Sequence, residues 1–120
     1  LLGAESTDTA SISDALSGRL LKFRIFEDDA QKMNLALNDT GGDILVVSQF
    51  TLAADLSKGN RPSFTTAAPP ELALELYSGF LETLRRSHAG KIATGQFGAN
   101  MKVELINDVP VTFLLQEPRR

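Results

Sequence analysis

Ser48, Gln49 and Thr51 stand at the end of a run of four aliphatic residues, Ile44 to Val47, where side-chain type and position could support chemistry. Hydroxyl and amide groups at a buried strand end can hold a polar substrate. A threonine hydroxyl can also act as a nucleophile, provided a base takes its proton. The same residues can equally be strand positions whose polar groups satisfy the local backbone. Partners for a side-chain mechanism are scarce. The 120 residues include one histidine and no cysteine, which excludes thiol catalysis, thiolate zinc sites and a disulfide scaffold. His88 follows a predicted helix and reads as a solvated end residue, and Arg85 and Arg86 read as that helix's cationic last turn. No carboxylate spacing singles out an acid–base pair. Asp28 and Asp29 read as a turn, and no metal or cofactor is implied. Gly41-Gly42 and Gly95 to Gly98 lack the strand-to-helix context of a phosphate-binding loop.

The elements that must position these groups belong to one ordinary globular domain spanning 1–120. Hydrophobic residues make up 42%, charged residues 22%, and the formal net charge is −3. That balance argues against disorder and against a broad nonspecific nucleic-acid surface. Cysteine absence leans toward a reducing cytoplasm, and no apolar run approaches the ~20 residues of a membrane span. The chain opens on Leu1-Leu2-Gly3, which reads as the tail of a strand. A helix is expected from Thr9 to Phe23, with Ile12, Leu16, Leu20 and Phe23 on one face, Ala15 beside them, and Ser6, Thr7 and Asp8 as candidate N-caps. Met33 to Leu37 predicts a short strand, Asn38 to Gly42 a turn, and Ile44 to Thr51 a central strand buried on both faces. A loop follows from Ala53 to Ala68. Pro70 to Ser87 predicts the clearest helix, with Leu72, Leu76, Phe80 and Leu84 in one row. Met101 to Leu105 and Val111 to Leu115 alternate as strands. The expected class is α/β: a mixed, largely antiparallel, barrel-like sheet with two helices packed on one face.

Period and spacing leave the function of such a domain unassigned. Its motifs do not. Leu45-Val46-Val47-Ser48-Gln49-Phe50-Thr51-Leu52 closely resembles the SQFTL signature of the D-aminoacyl-tRNA deacylases, also called D-tyrosyl-tRNA deacylases. Lys32-Met33-Asn34-Leu35, Arg61-Pro62-Ser63-Phe64, Thr94 to Met101 and Asn107 to Thr112 resemble further family segments, in the family's order and spacing. The resemblance implies a homodimeric hydrolase that cleaves the ester joining a D-amino acid, or glycine, to the terminal adenosine of tRNA. L-aminoacyl-tRNA would be spared, making this a proofreading step. Ser48, Gln49, Phe50 and Thr51 would form the catalytic segment, with the Phe50 and Thr51 amides holding the carbonyl oxygen as it gains charge. A ribose hydroxyl of the substrate would help to activate water. A nucleophilic Thr51 remains open as the alternative. Phe97, Gly98 and Met101 would border the terminal adenine, with core packing the alternative for Phe97 and Met101. Only the aminoacyl 3′ end must enter, so the negative net charge is no obstacle. Lys58, Arg61, Lys91, Arg119 and Arg120 are candidate phosphate contacts.

Two departures stand out. The family's second signature ends in Gly-Pro, where this chain has Val109-Pro110. In the family that dipeptide enters the pocket of the other subunit and reads chirality with its main chain, a task suited to a residue without a Cβ. The family's N-terminal strand pair is also expected to be missing ahead of Leu1. These departures favour a second reading: a weakened or silent relative that serves as a dimeric binding module for aminoacyl-tRNA ends. Valine is comfortable in the extended backbone before proline, so the expected effect is weakened or altered deacylation with the fold kept. Comparing D- and L-aminoacyl-tRNA hydrolysis by this chain and by Val109→Gly checks this. The two proteins should differ in rate or in selectivity, and equal rates would refute the expectation.

Overall fold

The computed structural model describes residues 1–118, and two long helices carry its packing. Helix α1 spans Ala10–Lys22. Its N-cap is Thr9 rather than Ser6, Thr7 or Asp8, because the Thr9 hydroxyl is the group that accepts from the Ile12 amide, at 3.4 Å. Asp8 instead accepts the amide of Glu5 at 2.8 Å and closes the turn ahead of the helix. The face of α1 that is fully covered is Ser17 and Leu21, whereas Ile12, Leu16, Leu20 and Phe23 are half-buried and Ala15 is exposed. A small residue at the contact lets the helices approach closely, and Ser17 satisfies its hydroxyl on the Asp14 carbonyl at 2.9 Å.

Against this face lies the second long helix, which runs Pro70–Ser87 as expected, with Pro70 at its first position and Glu71 in the first turn. Leu76, Tyr77, Phe80, Leu81 and Leu84 are buried along it, and Leu84 is fully enclosed. Ser13 donates to the Leu76 carbonyl at 3.0 Å, and Thr83 donates to the Asp14 carboxylate at 2.8 Å. A single helical turn, Leu37–Thr40, lies between the two in sequence, so it is α2 and the long helix is α3.

The strands are short. β1 (Phe26–Glu27) pairs antiparallel with β2 (Met33–Leu35), and β3 (Ile44–Val46) pairs in parallel with β4 (Ile92–Thr94). Parallel strands need a long crossover, and α3 supplies it. The Asp28 carboxylate accepts the amides of Ala30 and Lys32 at 2.9 and 3.0 Å, making the β1–β2 connection the expected turn. These bonds, that of Lys32 first, hold its carboxyl below the usual carboxylate range. β3 is buried at Val46 while Leu45 is 55% exposed, so burial on both faces is only partly realised.

The expected strands at 101–105 and 111–115 do not form, and β4 was not anticipated. A strand needs a neighbour to take its N–H and C=O groups, and 101–115 enters neither of the two ladders of the described residues. Leu105 and Leu114 are accordingly 66% and 74% exposed. The tail nevertheless returns to α1, where Phe113 stacks on Phe23 at 5.8 Å and Arg19 donates to the Gln116 carbonyl at 2.8 Å. The sheets among the described residues are thus two separate pairs, within a mixed α/β fold of three helices. Among the described residues no helix is long and apolar enough to cross a membrane.

His88 overturns the expectation of a solvated end. It is 8% exposed, and its Nε2 donates to the Gly42 carbonyl at 2.8 Å, with Asn38 Oδ1 3.5 Å from Nδ1. The ring thereby pins the end of α3 to the turn that launches β3. Gly90 completes the joint, since a Cβ there would run into the Gly42 carbonyl and His88 Nε2. Gly90→Ala should therefore cost about 1–3 kcal/mol. Gly18→Ala, where no atom lies within 4 Å of the new Cβ, should add about 0.5–1 kcal/mol. Urea midpoints of the two variants, moving in opposite directions, check both.

Candidate active site

The β3 strand continues past Val46 because a second neighbour takes over its hydrogen bonds. Leu2 donates to the Val47 carbonyl at 2.9 Å and accepts the Gln49 amide at 2.7 Å, a parallel bridge opposite Ser48. After Gln49 the backbone folds into one turn of 3₁₀ helix, Phe50–Ala53. Leu52 donates to the Gln49 carbonyl at 3.2 Å, and Ala54 to the Thr51 carbonyl at 3.1 Å. The amides of Phe50 and Thr51, at the start of that turn, meet no acceptor among the described residues. Opening donors of a helical turn are orphaned in this way unless a cap or ligand takes them. The two exposed residues therefore present adjacent N–H groups just past the end of β3, a donor pair suited to an oxygen with developing negative charge.

The side chains give little else to work with. The Thr51 hydroxyl accepts from Gln49 Nε2 at 2.5 Å, and an amide nitrogen of this kind cannot take a proton from the hydroxyl. His88, the one imidazole, is committed to Gly42 and Asn38. Among the described residues no three His, Cys, Asp or Glu side chains converge as metal ligands.

Phe50 is 59% exposed and tilts against Phe64 at 5.2 Å, so the Arg61-to-Phe64 segment closes over the 3₁₀ turn. Sequence reading did not place Phe64 beside the site, and its spacing to Phe50 carries no periodic signal. The loop is held by paired backbone bonds between Asp55 and Ser63, at 2.7 and 3.0 Å. The Ser57 hydroxyl and then its amide hold the exposed Asp55 carboxyl below its ordinary range. Lys58 and Arg61 project from this loop, exposed. Lys91 is exposed beside the start of β4, its amide bonded to Asp43 at 3.0 Å, and Arg119 and Arg120 lie outside the described residues.

The 95–101 segment lies beside β3. Gly95 donates to the Val46 carbonyl at 2.9 Å, and Gly98 adopts a left-handed φ of 77° in the turn that follows. Met101 sets its sulfur against Gly95, where a Cβ would come within 2.6 Å of it, and shares a groove of about 350 Å³ with Leu45, Val47, Gln96 and Val103. Phe97 leans instead on the core, its ring 5.7 Å from that of Tyr77. The groove thus gathers Met101 and the end of β3, while Phe97 is half-buried beside it. Val109 and Pro110 are not brought to Ser48–Thr51 by any hydrogen bond or ring contact among the described residues. Their loop is closed by Asn107, which donates to Thr112 at 2.9 Å and accepts the Val111 amide at 3.3 Å. The Val109-Pro110 bond is cis, and Val109, 78% exposed, does not take the extended backbone expected of it but a left-handed φ of 96°, costly for a β-branched residue.

The family model described as D-Tyr-tRNA(Tyr) deacylase matches residues 1–116. A D-aminoacyl-tRNA deacylase of Teredinibacter turnerae is 55% identical over 97% of this chain and 79% of its own length. One of Stenotrophomonas maltophilia is 55% identical over 97% of this chain and 80% of its own. Among solved structures, the c-Myc DNA Unwinding Element Binding Protein superposes with a TM-score of 0.91 at 40% identity, covering 98% of this chain and 80% of that one. A probable eukaryotic D-amino acid tRNA deacylase shares the fold at a TM-score of 0.64 and 18% identity, over 82% of this chain and 72% of that one.

Gly3 allows the first segment to lie flat against the turn: a Cβ there would sit 2.9 Å from both the Gln49 carbonyl and Leu52 Cβ. Neither neighbour is a flexible tip. Gly3→Ala should therefore displace the 3₁₀ turn, lowering stability by about 1–3 kcal/mol and shifting the Phe50 and Thr51 amide resonances. Unshifted amides in a folded variant would count against this account of the turn.

Proposed function

The chain belongs to the D-Tyr-tRNA(Tyr) deacylase family, and from that premise we propose that it hydrolyses the ester of D-aminoacyl-tRNA, releasing the D-amino acid and free tRNA. The observation that carries the chemistry is the pair of unpartnered amides at Phe50 and Thr51. Water adds to the ester carbonyl carbon, and the oxygen that takes up the negative charge is held by these two N–H groups. The carbon–oxygen bond to the ribose then breaks, and a proton returns to the ribose oxygen. Each such donor contributes about 3–4 kcal/mol in acyl-transfer sites of this kind, enough to carry much of the catalysis without a side-chain base.

Ser48 and Gln49 shape the floor of the pocket, and Phe97, Gly98 and Met101 receive the terminal adenosine of the aminoacyl-tRNA 3′ end. The Met101 groove beside β3 supports that assignment, as a thioether flanked by Leu45, Val47 and Val103 can pack on a flat base. Lys58, Arg61 and Lys91 meet phosphates. The enzyme acts as a homodimer in the cytoplasm, a single deacylase domain per subunit, with the Val109-Pro110 loop entering the partner's pocket to read chirality. Exposed apolar residues from Val103 to Leu114, which include Ile106 at 93% exposure, support such an assembly. In it, the two small sheets belong to a larger, barrel-like one. The binding-module reading finds no support in the curated relatives, which carry a hydrolase's name.

The chain should release the amino acid from D-aminoacyl-tRNA about a hundredfold faster than from the L-isomer, a difference set by what the pocket excludes as much as by what it holds. Deacylation of both isomers at equal enzyme concentration checks it. Equal rates, or none for the D-isomer, would contradict the proposal.

A further inference from the structure

We propose that Tyr77 is a positioning residue that sets the 48–51 segment against the Phe97 turn, an inference that rests on the deacylase reading of this site. Tyr77 is buried in the middle of α3 and touches both parts of the site from below. Its hydroxyl donates to the Val46 carbonyl at 3.3 Å, two residues before Ser48. The same carbonyl accepts the Gly95 amide at 2.9 Å, so one oxygen ties the strand, the helix and the start of the 95–101 segment together. The Tyr77 ring meets Phe97 at 5.7 Å and 43°. These two contacts do separate work. The hydroxyl fixes the strand that ends in the donor amides, and the ring backs the aromatic that receives the adenosine.

The separation gives different kinetic signatures for the two halves of the side chain. Tyr77→Phe keeps the ring and loses one hydrogen bond, so kcat for D-aminoacyl-tRNA should fall about threefold while KM stays put. Tyr77→Leu removes the backing of Phe97, and KM should rise about fivefold in molecules that circular dichroism shows to be folded. In Tyr77→Leu/Phe97→Ala the KM should match that of Phe97→Ala alone, because the ring acts through Phe97. A merely structural tyrosine would lower the folded fraction and leave both constants of the folded protein unchanged. Unchanged KM in folded Tyr77→Leu, or a KM in the double variant equal to the product of the single effects, would overturn the proposal. Where Tyr77→Leu does not fold, an unchanged kcat in Tyr77→Phe overturns it instead. A wild-type chain with no D-aminoacyl-tRNA hydrolysis defeats the deacylase reading and this inference with it, whereas an active wild type with indifferent variants defeats the role of Tyr77 alone.

Discussion

The site depends on where β3 runs out of hydrogen-bonding neighbours. β4 serves the strand through Val46, and Leu2 serves it through Val47 and Gln49. One residue later the backbone turns into a 3₁₀ helix, and the Phe50 and Thr51 amides are left facing outward. An unpaired backbone donor is costly when dry and useful when a ligand oxygen can fill it. Much of the surrounding fold holds that terminus still. Gly3 admits the first segment against the turn, His88 pins α3 to the start of β3, and Tyr77 backs β3 from beneath.

In the mechanism proposed above, this arrangement lets a chain with one histidine and no cysteine cleave an ester. Electrostatic stabilisation from fixed backbone dipoles needs no ionisable side chain, and it keeps its geometry only if the backbone is rigid. Core burial is accordingly concentrated in α3 and its contacts with α1 and β3. The Val109-Pro110 loop and the apolar residues around it lie at the opposite extreme of exposure.

The helices were legible because amphipathic spacing and capping are local. Pro70, Glu71 and the 76-80-84 row fix α3 to its ends. The burial of His88 is not legible locally, because the Gly42 carbonyl that holds its ring lies 46 residues earlier in the chain. Ile92-Ala93-Thr94 is too short to alternate visibly, yet it pairs with β3 because α3 returns it there. At 101–115 the alternation is plain, but a period of two marks a face to be covered, and Leu105, Ile106 and Leu114 stay largely exposed. The donor amides could not be found from residue types at all, since every residue but proline carries an N–H. Position after an aliphatic run marks Ser48, Gln49 and Thr51 only as possible site residues, and family motifs give Ser48 to Thr51 their catalytic reading.

The claim at the centre is that the backbone of this turn, and not its hydroxyl groups, drives ester cleavage. A single-turnover measurement on D-aminoacyl-tRNA with Ser48→Ala/Thr51→Ala, which deletes both hydroxyls and keeps both amides, tests it most directly. The cleavage rate should stay within about tenfold of the wild-type chain, as expected when the main electrostatic donors are retained. A loss of about a thousandfold or more in a folded variant would contradict the account and return the chemistry to a side-chain nucleophile.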